Sequence, residues 1–544
     1  MSAPVHWLLD LSVGGLLVRL ADVDLDVTTE DGRTLSYFAA ASLGGLEIAL
    51  GAGPTAAAIT VDAYCMPHAT WADLVAHGAW LPEATATLRR WTEGSTLEAG
   101  SVTLLQGRLR QPESGDLAEP LTFGLDSSRW DSSETVPPAT AVVDPTTWPV
   151  TTTPYPLYGD PSAIGAVYPW VFGYPGRGAS IMYGDVELSL PTTPGFVAEY
   201  GPGAHTWRDS KLLIAGHAVA AGDVRVTDLS GGYRPAGIEE TLPVLTTADL
   251  RGRVVSYVDL ADAEHVRVVQ GNQYSVEWYT ALGGGLTDAQ FGDADGLVRG
   301  AGAVISYLCR EADVRVDQGR LAAARARLDR YGLDFALTSP VRPEEWVEGR
   351  LGAILPLLRR EGPDGVWWEL WRYDGRLQDV AAHLVFGGSR ENCERVSRFR
   401  WRAVEDVVTE IELRYLTSTT GYKRTIRAVP GSSPDLTARE RGSRTLAVGA
   451  TRREGGHLLV VETPLVAEDS TAELVLQGLI DWRGVHRREV TVEAGPGLDH
   501  LRPNDVVTYT EDAASMSGML ALVQTVGLSL TRTTIELLLL ERTA

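Results

Sequence analysis

Apolar runs separated by turn residues fill the first 130 residues of the chain. The run at 101–111 alternates between two faces, as a half-buried strand does, and it pairs naturally with the run at 121–125. A short stretch at 71–77 is predicted to be a helix, because Thr70 before it is a favourable N-cap. Further strand candidates lie at 13–20, 35–40, 46–50, 57–64 and 87–91. This pattern predicts a meandering sheet or barrel with one helix.

The hydrophobic period becomes helical after Gly283-Gly284-Gly285. Apolar or small residues at 297–312 recur in steps of three, four and seven, which predicts a helix with Asp295 as its N-cap. A second helix is predicted at 321–331, between Asp317 as N-cap and a glycine behind it.

A third helix is predicted at 344–360, with a kink at Pro356 because proline removes one backbone hydrogen bond. A strand at 366–373, turned at Asp374-Gly375, follows it. Together these elements predict a small module of helices packed on a hairpin.

The strand pattern returns beyond residue 404. Apolar residues at Ile411, Leu413 and Tyr415 alternate with charged ones, and a strand at 422–429 follows the turn after them. Further strands are predicted at 457–461, 472–482, 488–493, 506–509, 519–530 and 534–541. The last third of the chain is therefore predicted to be an antiparallel sheet or barrel.

These patterns predict a multidomain, predominantly β protein with barrel-like or sandwich-like domains and a small helical α+β module near 286–375. The length of 544 residues is too great for one core. The predicted domains are an N-terminal β domain at 1–130, a proline-rich connector and β domain at 131–285, the helical module at 286–385 and a C-terminal β domain at 386–544.

An aromatic run characterises the connector. Residues 164–172 are apolar and aromatic, Pro169 interrupts them, and glycines and prolines follow, which predicts an edge strand entering a rigid turn. A second apolar run at 211–219 is predicted to be a buried strand. We expect this connector to make contacts between domains or subunits, and the residues chosen for that role are Tyr168, Trp170, Phe172 and Tyr174, with Trp367 and Trp371 from the helical module.

Composition narrows the function classes. The formal net charge of −23 disfavours a broad basic surface for nucleic acid, so no sequence-specific nucleic-acid binding is expected. Three cysteines at unrelated spacings indicate neither a zinc motif nor a disulfide framework. The N-terminus lacks the basic and apolar regions of a signal peptide, and no apolar run is long enough to span a membrane.

Candidate chemistry is sparse. No phosphate-binding loop, nucleophile elbow or zinc-protease motif occurs, so no catalytic residue, metal ligand or cofactor is expected. Asp293-Ala294-Asp295-Gly296 resembles part of a calcium loop, although helix capping is the simpler interpretation. Asp22, Asp24 and Asp26 share one strand face, which fits a metal site or, more simply, a solvated face. His217 is interpreted as a buried, hydrogen-bonded histidine.

Several passages resemble the central tail-hub, or baseplate-hub, proteins of tailed bacteriophages and phage-like gene transfer agents. The resemblance covers most of the chain in order, and its motifs are not catalytic. The passages are VTLLQGRLRQPESGD with EPLTFGLD and VPPATAVVDPTTWP, YPWVFGYPG with KLLIAGHAV, VISYLCREA with EEWVEGRLGAILPLLRR, VWWELWRYDG, VVTEIELRYL with GYKRTIRAV, and LRPNDVVTYT.

The resemblance implies a non-enzymatic structural protein of the virion. Such hubs are trimers that close the distal end of the tail tube and form part of the DNA passage. It implies a homotrimer that contacts the distal tail or tube protein, the tape measure protein and tail fibre or tip proteins, assembled in the host cytoplasm. Residues near 1–130 and 390–544 would supply the ring-forming β domains. Two alternatives stay open: a receptor-binding or carbohydrate-binding tail-tip protein, and a β-rich polysaccharide-degrading enzyme.

Overall fold

The computed structural model describes most of the chain. Apart from a few single residues, the described residues fall within 4–39, 48–66, 84–109, 121–127, 134–142, 158–159, 167–182, 188–189, 211–228, 238–259, 274–278, 284–430, 443–448 and 458–540, with short gaps inside several of these ranges. Within the predicted helix at 71–77 only Ala72 and Ala76 are described, both as helical, and residues 143–157 and 160–166 of the connector lie outside the described residues. Within them the protein is predominantly β with a small helical module, which confirms the predicted fold class.

The N-terminal region consists of strands and one helical turn. They are β1 (Val5–Val13), β2 (Leu16–Ala21), β3 (Leu25–Thr28), β4 (Thr34–Ala39), β5 (Ile48–Ala52), β6 (Ala56–Met66), β7 (Thr85–Thr92), α1 (Leu97–Gly100), β8 (Ser101–Leu109) and β9 (Leu121–Ser127). The predicted pairing of 101–111 with 121–125 is confirmed, because β8 and β9 run antiparallel with Leu109 opposite Leu125.

The middle of the chain contains short strands in small sheets. They are β10 (Tyr158–Gly159), β11 (Trp170–Phe172), β12 (Gly176–Met182), β13 (Leu188–Ser189), β14 (Lys211–Ala215), β15 (Asp223–Asp228), β16 (Ile238–Pro243), β17 (Leu245–Ala248), β18 (Val254–Asp259) and β19 (Tyr274–Trp278). Strands β12, β19, β15 and β16 form one of these sheets, and β14, β18 and β17 form another.

The helical module begins with α2 (Ala301–Glu311) and α3 (Gln318–Leu328) and continues with β20 (Phe335–Leu337), α4 (Pro343–Trp346), β21 (Leu357–Gly362) and β22 (Gly365–Leu370). The predicted cap of α3 is confirmed, since the Asp317 side chain accepts a hydrogen bond from the Arg320 backbone N–H. The predicted cap of α2 is wrong: Gly300 is its N-cap residue. The carboxylate at its N-terminus comes from Asp329, which accepts from the Ala303 N–H at 2.8 Å.

The third predicted helix is mostly wrong. Helix α4 is one turn long and passes into a π-helical turn at Val347–Leu351. The residues after Pro356 are extended and form β21, antiparallel to β22 with Gly362 opposite Gly365. The hairpin turn therefore precedes the second strand instead of following it. Pairing with β22 decides the conformation here, because its ladder satisfies backbone groups that a helix broken by proline leaves open.

The C-terminal region consists of β23 (Val380–Phe386), β24 (Cys393–Trp401), β25 (Glu410–Ser418), β26 (Gly421–Pro430), β27 (Ser443–Val448), β28 (Leu458–Glu462), α5 (Asp469–Arg483), β29 (Arg488–Ala494), β30 (Val506–Glu511), β31 (Met516–Leu528) and β32 (Thr533–Leu539). The predicted strand at 472–482 is wrong, because α5 occupies it. Its buried residues Ala472, Val475, Leu476 and Leu479 follow the 3.6-residue period, so the helical spacing was present in the sequence.

Both ends of the chain contribute to one sheet. Among the described residues, fifteen strands join in it, and its main path runs β24-β29-β32-β31-β5-β6-β9-β8-β7-β1-β2-β4-β3. The two ends meet where β31 pairs with β5, with Val526 opposite Leu50. Trp7, Leu9 and Leu11 of β1 belong to the same hydrophobic cluster as C-terminal residues such as Val490 and Leu537. The regions predicted as separate ring-forming domains thus share a core, while the boundaries at 130 and 386 stay predictions.

A second hydrophobic cluster lies around the helical module. It includes α2, the hairpin β21–β22, residues of β25 and β26, and most of the buried face of α5. Trp170 and Phe172 of β11 belong to it as well. The connector and the C-terminal region are therefore packed on the module by apolar contact, the main favourable contribution to folding.

Candidate functional site

The aromatic run of the connector is buried within the subunit. Tyr168, Trp170 and Phe172 are each less than a tenth exposed. Strand β11 pairs antiparallel with β20, and Phe172 lies opposite Phe335. We call this region, where residues 168–174 meet the helical module, the aromatic junction.

Stacked rings form the centre of the aromatic junction. The rings of Phe172 and Phe335 stack with centroids 4.9 Å apart, and Phe335 stacks in turn on Trp346 at 5.0 Å. Tyr307 of α2 meets Trp170 edge to face at 5.6 Å. Such pairs add about 0.5–1.5 kcal/mol each beyond the area that they bury. The run therefore anchors the connector to the module.

Gly173 turns the chain at the end of β11. Its φ of +60° lies in the left-handed region, where glycine has no steric penalty. A Cβ at this position would lie 2.4 Å from both Asp334 Oδ1 and the Leu333 carbonyl oxygen. The turn brings the Tyr174 backbone N–H to Asp334 Oδ1, at 2.7 Å.

Asp334 is the centre of a buried ion-pair network. Its carboxylate accepts two hydrogen bonds from Arg299, at 2.8 and 3.0 Å, and its side chain is fully buried. Arg299 also contacts Glu468, at the N-terminus of α5, at 2.7 Å, and its guanidinium lies 5.2 Å from the Tyr174 ring centroid. The network thus joins the connector, the module and α5.

Burial determines the titration of this network. It raises the pKa of the Asp334 carboxyl above its ordinary value, with the hydrogen bonds from Arg299 acting in the opposite direction. Burial also disfavours the charge on Arg299, but hydrogen bonds to Asp334 and Glu468 outweigh it and raise the pKa of the guanidinium. Breaking such a pair leaves an uncompensated buried charge, which is strongly destabilising.

His217 fixes the other side of the aromatic junction. Its Nε2 accepts from the Val171 backbone N–H at 3.0 Å, and its Nδ1 lies 2.8 Å from the Ala218 carbonyl oxygen. The proton therefore resides on Nδ1 and is donated to Ala218. Burial lowers the pKa of His217 to about 4, with the Ala218 hydrogen bond opposing the shift. The expected hydrogen-bonded role is confirmed.

A cleft of about 280 Å³ adjoins the ion-pair network. It lies between the N-terminus of α2, the C-terminus of α3 and the N-terminus of α5. Arginine and carboxylate side chains line it together, and Arg325 pairs with Asp329 at 2.9 Å. Since Asp329 also binds the N-terminus of α2, these charges hold the helices against one another.

Trp367 and Trp371, the two module residues chosen from the sequence, are also buried. Trp367 is 6% exposed, and the Arg320 guanidinium covers its ring at 4.5 Å from the centroid. Trp371 is 4% exposed and lies beside Tyr373, with centroids 6.3 Å apart. Neither ring is open to a sugar, so these two tryptophans do not form a carbohydrate-binding platform.

The three N-terminal aspartates bind local groups. Asp22 contacts His6 at 3.1 Å, Asp24 accepts from the Ala39 N–H, and Asp26 accepts from Ser36. No group of three or more metal-ligating side chains occurs within the described residues. Nor does any helix there have the length and apolar character needed to cross a membrane.

The two cysteines whose side chains the structure describes, Cys309 and Cys393, are buried. Burial raises the pKa of the Cys309 thiol, and it raises that of Cys393 to about 11. Both thiols are therefore protonated at neutral pH, unlike the thiolate of a reactive cysteine.

Asn504 connects the segment before β30 to the end of the hairpin β21–β22, and it was not identified from the sequence. It is buried with φ of +75°, its side chain accepts from the Arg372 N–H at 2.7 Å, and it donates to the Leu370 carbonyl at 3.0 Å. It lies in the passage LRPNDVVTYT and ties the hairpin to β30. Arg299, Asp334 and Glu468 were also missed, because no local spacing brings residues so far apart in the chain together.

No protein-family model matches the chain, and no curated protein matches it. Among solved structures it is similar to a tail protein from Neisseria meningitidis, with 11% identity, a TM-score of 0.32, and coverage of 98% of this chain and 96% of that one. A 43 kDa tail protein of a Shewanella oneidensis prophage gives 7% identity, a TM-score of 0.36, and coverage of 99% and 96%.

A chain of a native gene transfer agent particle gives 16% identity, a TM-score of 0.19, and coverage of 51% of this chain and 80% of that one. These scores lie below the level at which a likeness establishes a common fold. The first two structures are tail proteins, and the third is a virion of a gene transfer agent.

Proposed function

We propose that this chain is a structural component of a phage-type tail, and more closely a tail hub that closes the distal end of the tail tube. In this role it joins the tube to the tail tip or fibres and forms part of the DNA passage. It acts by contact with other proteins and not by catalysis. It works as a homotrimer in the virion, at the tail tip or baseplate, after assembly in the host cytoplasm.

One observation carries the proposal: within the described residues, no further strand pairs beyond either end of the main path of the sheet that joins both ends of the chain. Its terminal strands are β24 and β3, each with one hydrogen-bonded neighbour among the described strands. Open edges pair readily with further strands, and proteins that work alone commonly cover or shorten them. Strand β3 has only four residues, but β24 has nine, so the long edge at β24 favours a subunit of an assembly.

The passages that carry the sequence resemblance also form the joints of the fold. YPWVFGYPG supplies the aromatic junction, and KLLIAGHAV supplies β14 and His217. LRPNDVVTYT supplies Asn504 and β30. These joints hold the regions of one subunit in fixed positions, as a protein that connects the tube to the tip requires.

The charge of the chain fits a DNA passage. A formal net charge of −23 repels the phosphate backbone, so DNA can move past without being held. The partners proposed, which the sequence resemblance implies, are the distal tail or tube protein, the tape measure protein and tail fibre or tip proteins.

Immunogold labelling of tailed particles, released by the cells that carry the gene, tests the function. Antibody against the purified chain should label the tail tip at the end distal to the capsid, and deletion of the gene should give particles without a closed tail. Absence of the chain from purified particles, or label spread along the tube, would contradict the hub proposal.

A further inference from the structure

The two open edges of the long sheet have opposite charge. Strand β24 has the sequence CERVSRFRW, with three arginines and one glutamate. Arg395 and Arg398 are exposed, and neither pairs with a carboxylate within the described residues, whereas Arg400 contacts Glu489 at 2.6 Å. The chain enters β24 beside β23, since the Asn392 N–H donates to the Val385 carbonyl at 3.0 Å, but no described strand pairs with this side of β24 from Arg395 to Trp401. We call the side of residues 395–401 that faces away from β29 the basic edge.

The opposite end of the sheet is acidic. Five carboxylates and one arginine occur in residues 22–33, and this segment comprises β3 and the turn that leads to β4. Asp24, Asp26 and Glu30 are exposed, and no cation pairs with them in the part of the chain that the structure describes. We call this end of the sheet the acidic edge.

Exposed apolar side chains accompany both edges. Phe399 of β24 is 44% exposed, and at the acidic end Phe38 of β4 is 63% exposed and Leu17 of β2 is 52% exposed. Apolar side chains at this exposure leave much of their surface in contact with water. Contact with another protein would remove that surface from water, which is favourable. Among the described strands, each edge thus lacks a second strand partner and combines apolar area with charge of one sign.

We infer that copies of this chain associate head to tail, with the basic edge of one copy alongside the acidic edge of the next. The contact extends the sheet from subunit to subunit by strand pairing between β24 and β3, with arginines opposite aspartates. The inference names the partner surface within the proposed hub, and it rests on that proposed function for the expectation that the chain of contacts closes into a ring.

The charges select a second copy of this chain in this orientation. A symmetric contact between two basic edges would oppose arginines to arginines, and one between two acidic edges would oppose carboxylates to carboxylates. Like charges held together in this way are unfavourable and discriminate against wrong pairings. Only the contact between unlike edges places the charges of both edges opposite charges of the other sign. A head-to-tail contact of this kind produces a ring when the rotation between neighbouring subunits closes.

Charge reversal on the purified full chain tests the inference. Variant R395E/R398E reverses the basic edge, D26R/E30R reverses the acidic edge, and a third chain carries all four changes. R330E/R350E is the matched control for R395E/R398E, because it makes the same change in net charge at exposed arginines away from the edges. Subunit mass is measured by sedimentation velocity at several concentrations, and circular dichroism checks the fold of each chain.

We expect each two-site variant to associate at least about tenfold more weakly than the parent, and the four-site chain to recover association because unlike edges meet again. The control should associate like the parent. A parent chain that stays monomeric at every concentration, or variants that all associate like the parent, would overturn the inference. Weakened association without recovery in a correctly folded four-site chain would also overturn it. Tip labelling of particles reads out the hub function separately, so either can fail alone.

Discussion

The aromatic junction and the sheet edges contain the same kinds of residue and use them in opposite ways. At the junction, Phe172 is fully buried and Arg299 contacts two carboxylates of its own subunit. At the basic edge, Phe399 is 44% exposed, and Arg398 has no carboxylate partner among the described residues. Aromatic and charged residues therefore do not by themselves identify an interface.

Internal contacts differ from external ones in whether the charged groups have partners within the same subunit. Buried charges are retained when partners inside the chain compensate them, as Asp334 and Glu468 do for Arg299. Unpaired strand edges with charge of one sign have no such compensation inside the subunit. The surface available to another subunit is therefore at the ends of the sheet, and the connector fixes the regions within one subunit.

Gly173→Ala is expected to destabilise the protein more than any other substitution considered. The substitution combines left-handed backbone strain of about 1–3 kcal/mol with an overpacking cost of similar size against Asp334 and Leu333. We expect a loss of about 4 kcal/mol in the free energy of unfolding, measured by denaturant titration with hydrogen exchange of residues 167–182.

Gly32→Ala is the matched control, because Gly32 has φ of +81° and no atom within 4 Å of its added Cβ. It should cost only the strain, about 1 kcal/mol. Equal losses in the two variants would show that Gly173 is not tightly enclosed, and the internal role of the junction would fail.

The next effect comes from Asp334→Asn. Removing this carboxylate leaves the Arg299 charge with Glu468 alone, and we expect a loss of about 3 kcal/mol in unfolding free energy. Glu468→Gln changes a carboxylate that is 40% exposed and should cost less than about 1 kcal/mol. Thermal unfolding of both variants measures the difference in stability loss. A larger loss for Glu468→Gln would contradict the central position of Asp334 in the ion-pair network.

A pH-dependent effect of intermediate size is expected at His217. Its pKa is about 4 in the folded protein, below the ordinary value of 6.5, so the unfolded chain binds more protons between these values. The stability contributed by the neutral ring is complete above pH 6.5 and is lost as pH falls towards 4. Between pH 7 and pH 5 we expect a loss of up to about 2 kcal/mol.

His217→Gln supplies an acceptor that does not titrate. Unfolding curves of the parent and the variant across this pH range measure the contribution of the ring as the difference between their slopes. Parallel pH profiles would show that His217 is not held neutral by its contacts with Val171 and Ala218.

The smallest effect on stability is expected at the sheet edges. Arg395 and Arg398 are exposed on an edge strand, so R395E/R398E should change the unfolding free energy of the isolated subunit by less than about 0.5 kcal/mol. Chemical unfolding at a concentration where the subunits are separate measures it. A loss comparable to that of Asp334→Asn would place these arginines in the internal framework instead.

Sequence patterns predicted what depends on local periodicity. The β class, the pairing of β8 with β9, the helices α2 and α3 and the Asp317 cap all follow from spacing along the chain. The same reasoning failed at α5, where the run at 472–482 fits both periods, and at β21, where pairing with β22 overrides the helical pattern before Pro356. Short apolar runs are ambiguous because tertiary contacts decide between the two.

The candidate site was predictable only in part. The aromatic composition of residues 168–174 marked a joint, but its partners Asp334 and Glu468 are distant in sequence and carry no motif. The opposite charges of β3 and β24 were also visible in the sequence. Their meaning depends on the finding that both strands terminate one sheet, and long-range strand pairing cannot be read from local spacing.

Cross-linking between the two edges tests whether the basic edge of one copy meets the acidic edge of the next. One chain carries Arg398→Cys, a second carries Asp26→Cys, and each is treated with a short bis-maleimide alone and in a mixture, with the parent chain as the background for its native cysteines. We expect a covalent dimer in the mixture and parent-level background in each chain alone. No dimer in the mixture, or equal yields in all three samples, would contradict head-to-tail contact between the basic and acidic edges.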